Sequence, residues 1–400
     1  MRIAMLLDNE INDDLRVSNE INVLTDAGNE VILLCKGKKP NPKFEIREKL
    51  KIHRLFLPKK MAGALNILSQ KIPFLNYYWF HHLKRLVLKY DIDAIHAHDL
   101  YMYWPAYRLS NKLNIPYVLD LHENYPATVK TYGWTKKWYA RLFYNPILWA
   151  KKEEEILSSA DRLVVLSDYY KFDLVKRYPT LKSKSIFRYA NVPNLKIFDS
   201  FSVDSSLLEK KGAFLLFYFG VIAERRGIYT LLNAVAELSK QYNQIKLLLI
   251  GPVDAAEKSK FQKYLETYNL EKHVIHYPWK DISLFPSYVS LSDLCVSPLI
   301  RNKQHESGVA NKVFQYMYFK RPVLVSDCKP QAEIIEKYHC GDVFESGNVQ
   351  DLVAKIKQFI ENKEKLVKYG ENAYRTVNQN YNTEIEGRNL VSLYRSLLVN

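Results

Sequence analysis

The sequence predicts an α/β chain of two domains, each an open parallel sheet flanked by helices. Three observations carry this. At 400 residues the chain exceeds what one ordinary core holds. Short apolar runs alternate with amphipathic helical stretches from end to end, the pattern of βαβ units. The alternation lapses once, near mid-chain, over the polar stretch 194–212, which has no strong period.

In order, the first half reads as a strand over 2–7, a helix over 17–27, and strands over 31–35, 94–97, 117–121 and 163–166. Near-continuous runs of this length suit strands buried on both faces. Around 187–193 the rhythm stops. It restarts with a strand over 214–219, a helix over 230–239, and a strand over 245–250 halted by Gly251-Pro252. Further strands fall at 273–276, 294–297 and 322–326, with helices at 259–268, 309–319 and 349–360. The expected domains are 1–195 and 196–380, with a C-terminal helix from 381 to 400 packing back on the first. Open parallel sheets bind ligands beyond the carboxyl ends of their strands, so the site is expected in a cleft between the domains.

A hydrophobic fraction of 48% and a charged fraction of 25% exclude a disordered or fibrous chain. No apolar run reaches the roughly 18 to 20 residues that span a bilayer. The opening MRIAMLLDNEIND turns acidic too early for a signal peptide and reads as a first buried strand. Cys35, Cys295, Cys328 and Cys340 form neither a CxxC pair nor a ladder, so reduced cysteines and a cytoplasmic setting are expected. The net charge of +15 favours anionic partners or, more blandly, a solubilising surface.

The most informative segment is 308–326, GVANKVFQYMYFKRPVLVS. Gly308 precedes a helix with Val313, Phe314, Met317 and Tyr318 at helical spacing, and a Val-rich strand follows Arg321-Pro322. A helix start of this kind offers free N–H groups and a positive dipole end to a phosphate. Lys312 in the first turn opposes that dipole, which makes sense if an anion sits there. The alternative is a surface helix capped by Ser307 with a solvated lysine.

Here the chain resembles a family. NKVFQYMYFKRPV is similar to the NK-x-F-E-Y-M-x-x-G-x-P-V signature of the retaining family 4 glycosyltransferases of the GT-B fold, built from two Rossmann-like domains. GVIAERRG at 220–227 resembles their G-R-x-x-x-x-K-G turn, and Leu249-Ile250-Gly251 their hydrophobic strand end. The combined pattern of HAHD at 96–99 with DLHENYP at 120–126, and Asp14-Leu15-Arg16-Val17 with Glu20, resemble one branch of bacterial glycan biosynthesis. Five pieces in the right order make the resemblance specific.

The resemblance implies a nucleoside-diphosphate sugar donor, uridine diphosphate by expectation from the family at large. It implies transfer to a hydroxyl of a glycan or lipid-linked acceptor with retention of configuration. It sets Arg226 at the phosphate-binding lysine and Lys312 in the conserved NK pair, beside Asn311. Gly220, Arg225, Ser307 and Gly308 fall in the same donor loops. His122 becomes the histidine near donor sugar and acceptor, with Asp14, Arg16, Asp99, Asp120 and Glu123 on the acceptor side; for Asp99 a helix cap is the bland alternative. Tyr277 and Trp279 in the loop YPWKD are expected beside the base, with simple core packing as the alternative. Two departures matter. Val221 stands where the family has an arginine. Gln315 replaces the second glutamate of E-x7-E, whose first member falls on Ser307 beside Glu306.

A departing diphosphate needs fixed cations or a metal. No DxD-type pair is present among the diphosphate candidates, and His96 and His98 lack a third ligand at metal spacing, so neither a metal nor another cofactor is expected. Residues 130–152 hold six basic residues, seven aromatics and no acid, and 71–89 is similar. Such stretches suit an anionic membrane surface, here the inner face of the cell membrane, or a packed interior. A nucleic-acid partner, which would want a basic groove with stacking aromatics, is not expected. A GT-B-type sugar-nucleotide epimerase and a catalytically decayed relative are the competing classes.

Overall fold

The computed structural model describes residues 1–56, 74–128, 146–194, 196–207 and 212–398. The chain divides into two units, Met1–Ala190 with Glu386–Asn400, and Asn191–Ile385. Each is a parallel-sheet α/β unit.

The first unit holds eight strands: β1 (Arg2–Leu7), β2 (Glu30–Lys36), β3 (Phe44–Arg47), β4 (Leu50–Leu55), β5 (Ala94–His98), β6 (Tyr117–Asp120), β7 (Arg162–Val165) and β8 (Ser185–Arg188). Their order is β3-β4-β2-β1-β5-β6-β7-β8, all parallel except the β3–β4 hairpin. The chain steps from β1 to β2 on one side and resumes at β5 on the other. The order therefore reverses at β1, and ligands of open sheets collect at such a point. Ile3, Met5, Val31, Leu33, Val118 and Val164 build the core on one face. The last helix, Thr383–Ser396, closes that face with Leu390, Leu393 and Tyr394.

The second unit holds β9 (Phe214–Phe219), β10 (Ile245–Ile250), β11 (Val274–Tyr277), β12 (Leu294–Ser297), β13 (Val323–Ser326) and β14 (Gly341–Phe344). Their order, β11-β10-β9-β12-β13-β14, is parallel throughout and reverses at β9. Helix Ile228–Leu238 buries Leu231, Leu232, Val235 and Leu238 against this sheet, an apolar stripe at helical period.

Strands β3, β4, β8 and β14 depart from the sequence reading. The β3–β4 hairpin lies at a sheet edge, where β3 is largely exposed and carries no apolar run. Strand β14 opens on a glycine, and β8 ends on Arg188, whose charge is paired with Glu386 at 2.6 Å. Edge strands are specified by pairing rather than by burial, so their residues carry a weak signal.

Candidate active site

In the second unit the carboxyl end of β9 is built on glycines. Gly251, at the end of β10, has φ 147, and a Cβ there would stand 2.1 Å from the Gly220 carbonyl oxygen. The loop then makes a short turn, Glu224–Arg226, ending at Gly227. Gly227 has φ 74, and a Cβ on it would lie 1.6 Å from the Pro298 carbonyl oxygen, so only glycine lets the loops after β9 and β12 close on each other.

Helix Asn311–Tyr318 follows β12. It starts two residues later than its sequence pattern predicts, because Ala310 stays extended, and it has no side-chain cap. Ser307 is buried and donates its hydroxyl to the Gln304 carbonyl at 2.7 Å, so it does not cap the helix. Gly308 lies in the loop ahead of it. The first turn therefore offers backbone N–H groups with no side-chain acceptor. Val313, Phe314, Tyr316 and Met317 pack inward. The Tyr316 hydroxyl accepts from the Phe219 N–H at 2.7 Å and pins the helix to the end of β9.

That pin places Lys312. Its Nζ lies 3.6 Å from the Tyr218 ring centroid and 3.6 Å from where a Gly220 Cβ would stand. Lys312 is only 7% exposed, and burial, then the Arg226 charge, push its pKa well below the usual lysine range. Arg226 is half-buried, and burial lowers its pKa as well. Among the described residues no carboxylate pairs with either cation. Holding both groups charged away from water without a counter-ion is costly until an anion arrives.

The other donor candidates divide. Asn311 opens the same helix, and its Oδ1 is buried without a partner among the described residues. Gln315 lies one turn beyond Lys312 and is partly exposed. Arg225 is exposed, and its carbonyl accepts from Ile300 N–H at 3.3 Å. Trp279 is 57% exposed and packs edge-on against Phe219, the residue before Gly220, at 5.6 Å. Tyr277 ends β11, with Lys280 over its ring at 4.5 Å. Glu306 is taken up by Arg301 at 2.6 Å, and Arg301 also reaches Asp327. Neither Glu306 nor Ser307 thus joins the cationic corner as a free group.

In the first unit a buried charge network forms where β5 and β6 end. Asp120 is fully buried. Its Oδ1 accepts from Arg16 Nη2 at 2.8 Å, and its Oδ2 accepts from His122 Nε2 at 3.0 Å. Arg16 also lies 3.1 Å from Glu20, donates to the Tyr189 carbonyl at 2.7 Å, and stacks on the Tyr189 ring. His98 Nδ1 is 3.2 Å from His122 Nε2, and the His96 ring stacks on His98 at 4.3 Å. Tyr394, from the last helix, meets His96 Nδ1 at 2.7 Å.

Three of the acceptor-side candidates are engaged within the protein. Asp14 caps helix Leu15–Asp26 by accepting from Val17 N–H at 3.1 Å. Arg16 and Asp120 are buried and spend their charges on each other. Asp99 and His122 remain partly exposed at the rim, 3.8 Å apart. Asp99 makes no capping bond; it accepts instead from Tyr101 Oη at 3.1 Å. Glu123 follows in the same loop and is partly exposed. Glu20, His98, Tyr189 and Tyr394 received no role from the sequence. The i,i+4 spacing of Arg16 and Glu20 and the same-face alternation of His96 and His98 were the available signals.

Burial would raise the Asp120 pKa, but Arg16 and His122 hold it well below the carboxylate range. Burial and the Asp120 charge push Glu20 well above it, which favours its protonated form. Burial would lower the His122 pKa, yet Asp99 and Asp120 outweigh it and raise it to about 9. The charges of Arg16 and His122 thus balance those of Asp120 and Asp99. Glu20, His98, Asp120 and His122 do bring one ligand-type atom each to within 4.8 Å of one another, a convergence the sequence did not reveal. Arg16 already sits on both carboxylates, however, and its fixed charge opposes a dication there.

Two family models match the chain. Residues 16–186 match Glycosyltransferase Family 4, and residues 201–376 match Glycosyl transferases group 1. The alpha-D-kanosaminyltransferase of Streptomyces kanamyceticus is 22% identical over 325 residues, covering 78% of this chain and 79% of that protein. Among solved structures, the sucrose-phosphate synthase of Thermosynechococcus elongatus superposes with a TM-score of 0.76 at 20% identity, covering 100% of this chain and 99% of that one. Anabaena Alr3699/HepE, solved in complex with UDP, gives 0.72 at 13% identity, covering 99% of this chain and 100% of that one. These likenesses give the fold.

Proposed function

Since the chain belongs to the family 4 glycosyltransferases of the GT-B fold, we propose that it transfers a sugar from a uridine-diphosphate sugar to a hydroxyl of a glycan or lipid-linked acceptor in cell-surface glycan synthesis, with retention of configuration. The observation that carries this is the buried Lys312 beside Arg226 at the end of β9, with no carboxylate partner among the described residues. A diphosphate supplies the missing counter-charge, and the same cations stabilise it as it leaves. The uncapped helix start adds N–H donors. With cations supplied by side chains, no metal is required at this corner.

The deciding measurement is thermal shift with UDP, GDP and ADP, run in excess EDTA. A nucleotide at a hundred times its dissociation constant adds roughly 2.7 kcal/mol. We expect UDP to stabilise the chain with chelator present. No stabilisation by any of the three, or stabilisation only on adding manganese or magnesium, would sink the reading.

Gln315 stands for the ribose contact. Its amide oxygen accepts a hydrogen bond without charge assistance. Gln315→Glu is expected to hold or improve UDP affinity, and Gln315→Leu to weaken it by about 1 to 3 kcal/mol by leaving a hydroxyl unpaired. Equal calorimetric affinity for the Leu variant and the parent would remove Gln315 from the site.

We also place the protein peripherally on the inner membrane face. Among the described residues no helix is long and apolar enough to cross a membrane. Residues 130–145 of the basic, aromatic stretch lie outside the described residues. Within 146–152, Trp149 packs against the core; in helix Phe74–Tyr90, Trp79 is buried and Tyr78 and Phe80 pack on the core. Tyr77 is 53% exposed, and the helix carries Lys84, Arg85 and Lys89 with no acidic residue. Each such cation near an anionic bilayer contributes roughly 1 kcal/mol. Arg85→Glu with Lys89→Glu should lower co-sedimentation with anionic vesicles about tenfold or more. Equal pelleting with neutral vesicles, or none with either kind, would end the membrane reading.

A further inference from the structure

We infer that His122 is held as an imidazolium between Asp120 and Asp99, so that it meets the substrate as a fixed cation and cannot take up a proton. The argument is geometric. Each ring nitrogen faces a carboxylate: Nε2 lies 3.0 Å from Asp120 Oδ2, and Nδ1 lies 3.8 Å from Asp99 Oδ2. A carboxylate opposite a ring nitrogen favours a proton there, and two of them favour both.

The surroundings fix this state. Arg16 orients Asp120 from helix Leu15–Asp26, and the Asp99 carboxylate accepts from Tyr101. His98 Nδ1 lies 3.2 Å from His122 Nε2 and 3.4 Å from Asp120 Oδ2, and burial lowers its pKa, which disfavours a second positive charge there. Burial and the Asp120 charge raise the pKa of Glu20, which disfavours a further negative charge beside Asp120. Asp8, near Asp99, is matched by Lys36 at 2.7 Å.

Asp99 is held in its place at a cost. Its backbone has φ 71 and ψ 146, a region that only glycine enters freely. Its carboxylate forms no turn cap and faces His122 instead. The consequence lies at Nδ1. At 3.8 Å the Asp99 contact is longer than a hydrogen bond, so the charged Nδ1–H is the donor left for a substrate oxygen. On the transferase reading, on which only this last step rests, that oxygen belongs to the donor sugar or the acceptor. The proton released by the acceptor must then go elsewhere than His122.

The test is 15N NMR of the full chain labelled in its histidines, with His122 assigned by loss of its signals in His122→Gln. Both His122 ring nitrogens are expected to stay protonated through neutral pH, with a midpoint near 9. In Asp99→Asn the midpoint should fall by about one unit or more, a tenfold loss of proton affinity. Asp99→Gly, which also relieves the backbone, should show the same fall, whereas Tyr101→Phe keeps the carboxylate and should retain the high midpoint. A wild-type midpoint near the ordinary 6.5, or one unmoved in both Asp99 variants, overturns the inference. Nucleotide binding is not read here, so this outcome is separate from that of the transferase proposal.

Discussion

Lys312→Met is expected to raise the thermal stability of the ligand-free protein and to abolish most of its activity. The two effects have one cause. Lys312 is a buried amine beside Arg226, its charged form disfavoured by burial and by the Arg226 charge, with no carboxylate partner among the described residues. Methionine matches its length and removes a buried polar group that the site disfavours in its charged form, a change that is commonly neutral or stabilising. The same change removes one preorganised cation from the departing diphosphate, which costs on the order of 10²- to 10³-fold in turnover. Arg226→Met should act in the same direction, with a smaller stability gain because Arg226 is less buried. The UDP-induced thermal shift should shrink in both variants. Calorimetry and a transfer assay decide it. A ligand-free protein that loses stability while keeping its UDP shift would show that Lys312 serves the fold and not the ligand.

The second-unit corner was legible because its parts are local. Gly220, Arg226 and Gly227 lie in the loop that directly follows β9, Lys312 lies in the first turn of the helix that follows β12, and apolar runs mark both strands. Chain order alone brings such loops to one end of a parallel sheet. Pairing within the loops was not legible. Nothing in the run of residues told that Arg301 would take Glu306, or that Ser307 would bond back to Gln304.

In the first unit the limit is sharper. Arg16 and Asp120 are 104 positions apart, and Tyr394 reaches His96 across 298. Polar residues near a strand end look alike in sequence whether they face a ligand or one another. Burial alone distinguishes them, and burial is a tertiary property. That is why Arg16 and Asp120 read as acceptor contacts, while the structure makes them the support beneath His122.

Arg16→Met is therefore expected to act through the fold first. Removing one member of a buried pair leaves the other charge uncompensated, at a cost of about 3 to 5 kcal/mol. The lower end applies here, since His122 still faces Asp120 at 3.0 Å. Arg16→Met combined with Asp120→Asn should cost less than the two single changes added together, because the orphaned charge is gone. The pH dependence has a definite sign. The folded-state pKa of Asp120 is depressed, so its contribution is present above the unfolded value near 3.9 and is lost on acidification. That of His122 is raised to about 9, so its contribution is complete below the unfolded value near 6.5 and fades as pH rises through 9. In the Arg16 variant the acid-side loss should begin at higher pH, because Asp120 is then less strongly held ionised. Differential scanning calorimetry across this range reads both limbs. UDP binding should survive in the variant, since its proposed site lies in the other unit. If Arg16→Met instead left the unfolding transition unchanged at every pH while abolishing transfer, Arg16 would belong to the substrate site and the buried network would not be its role.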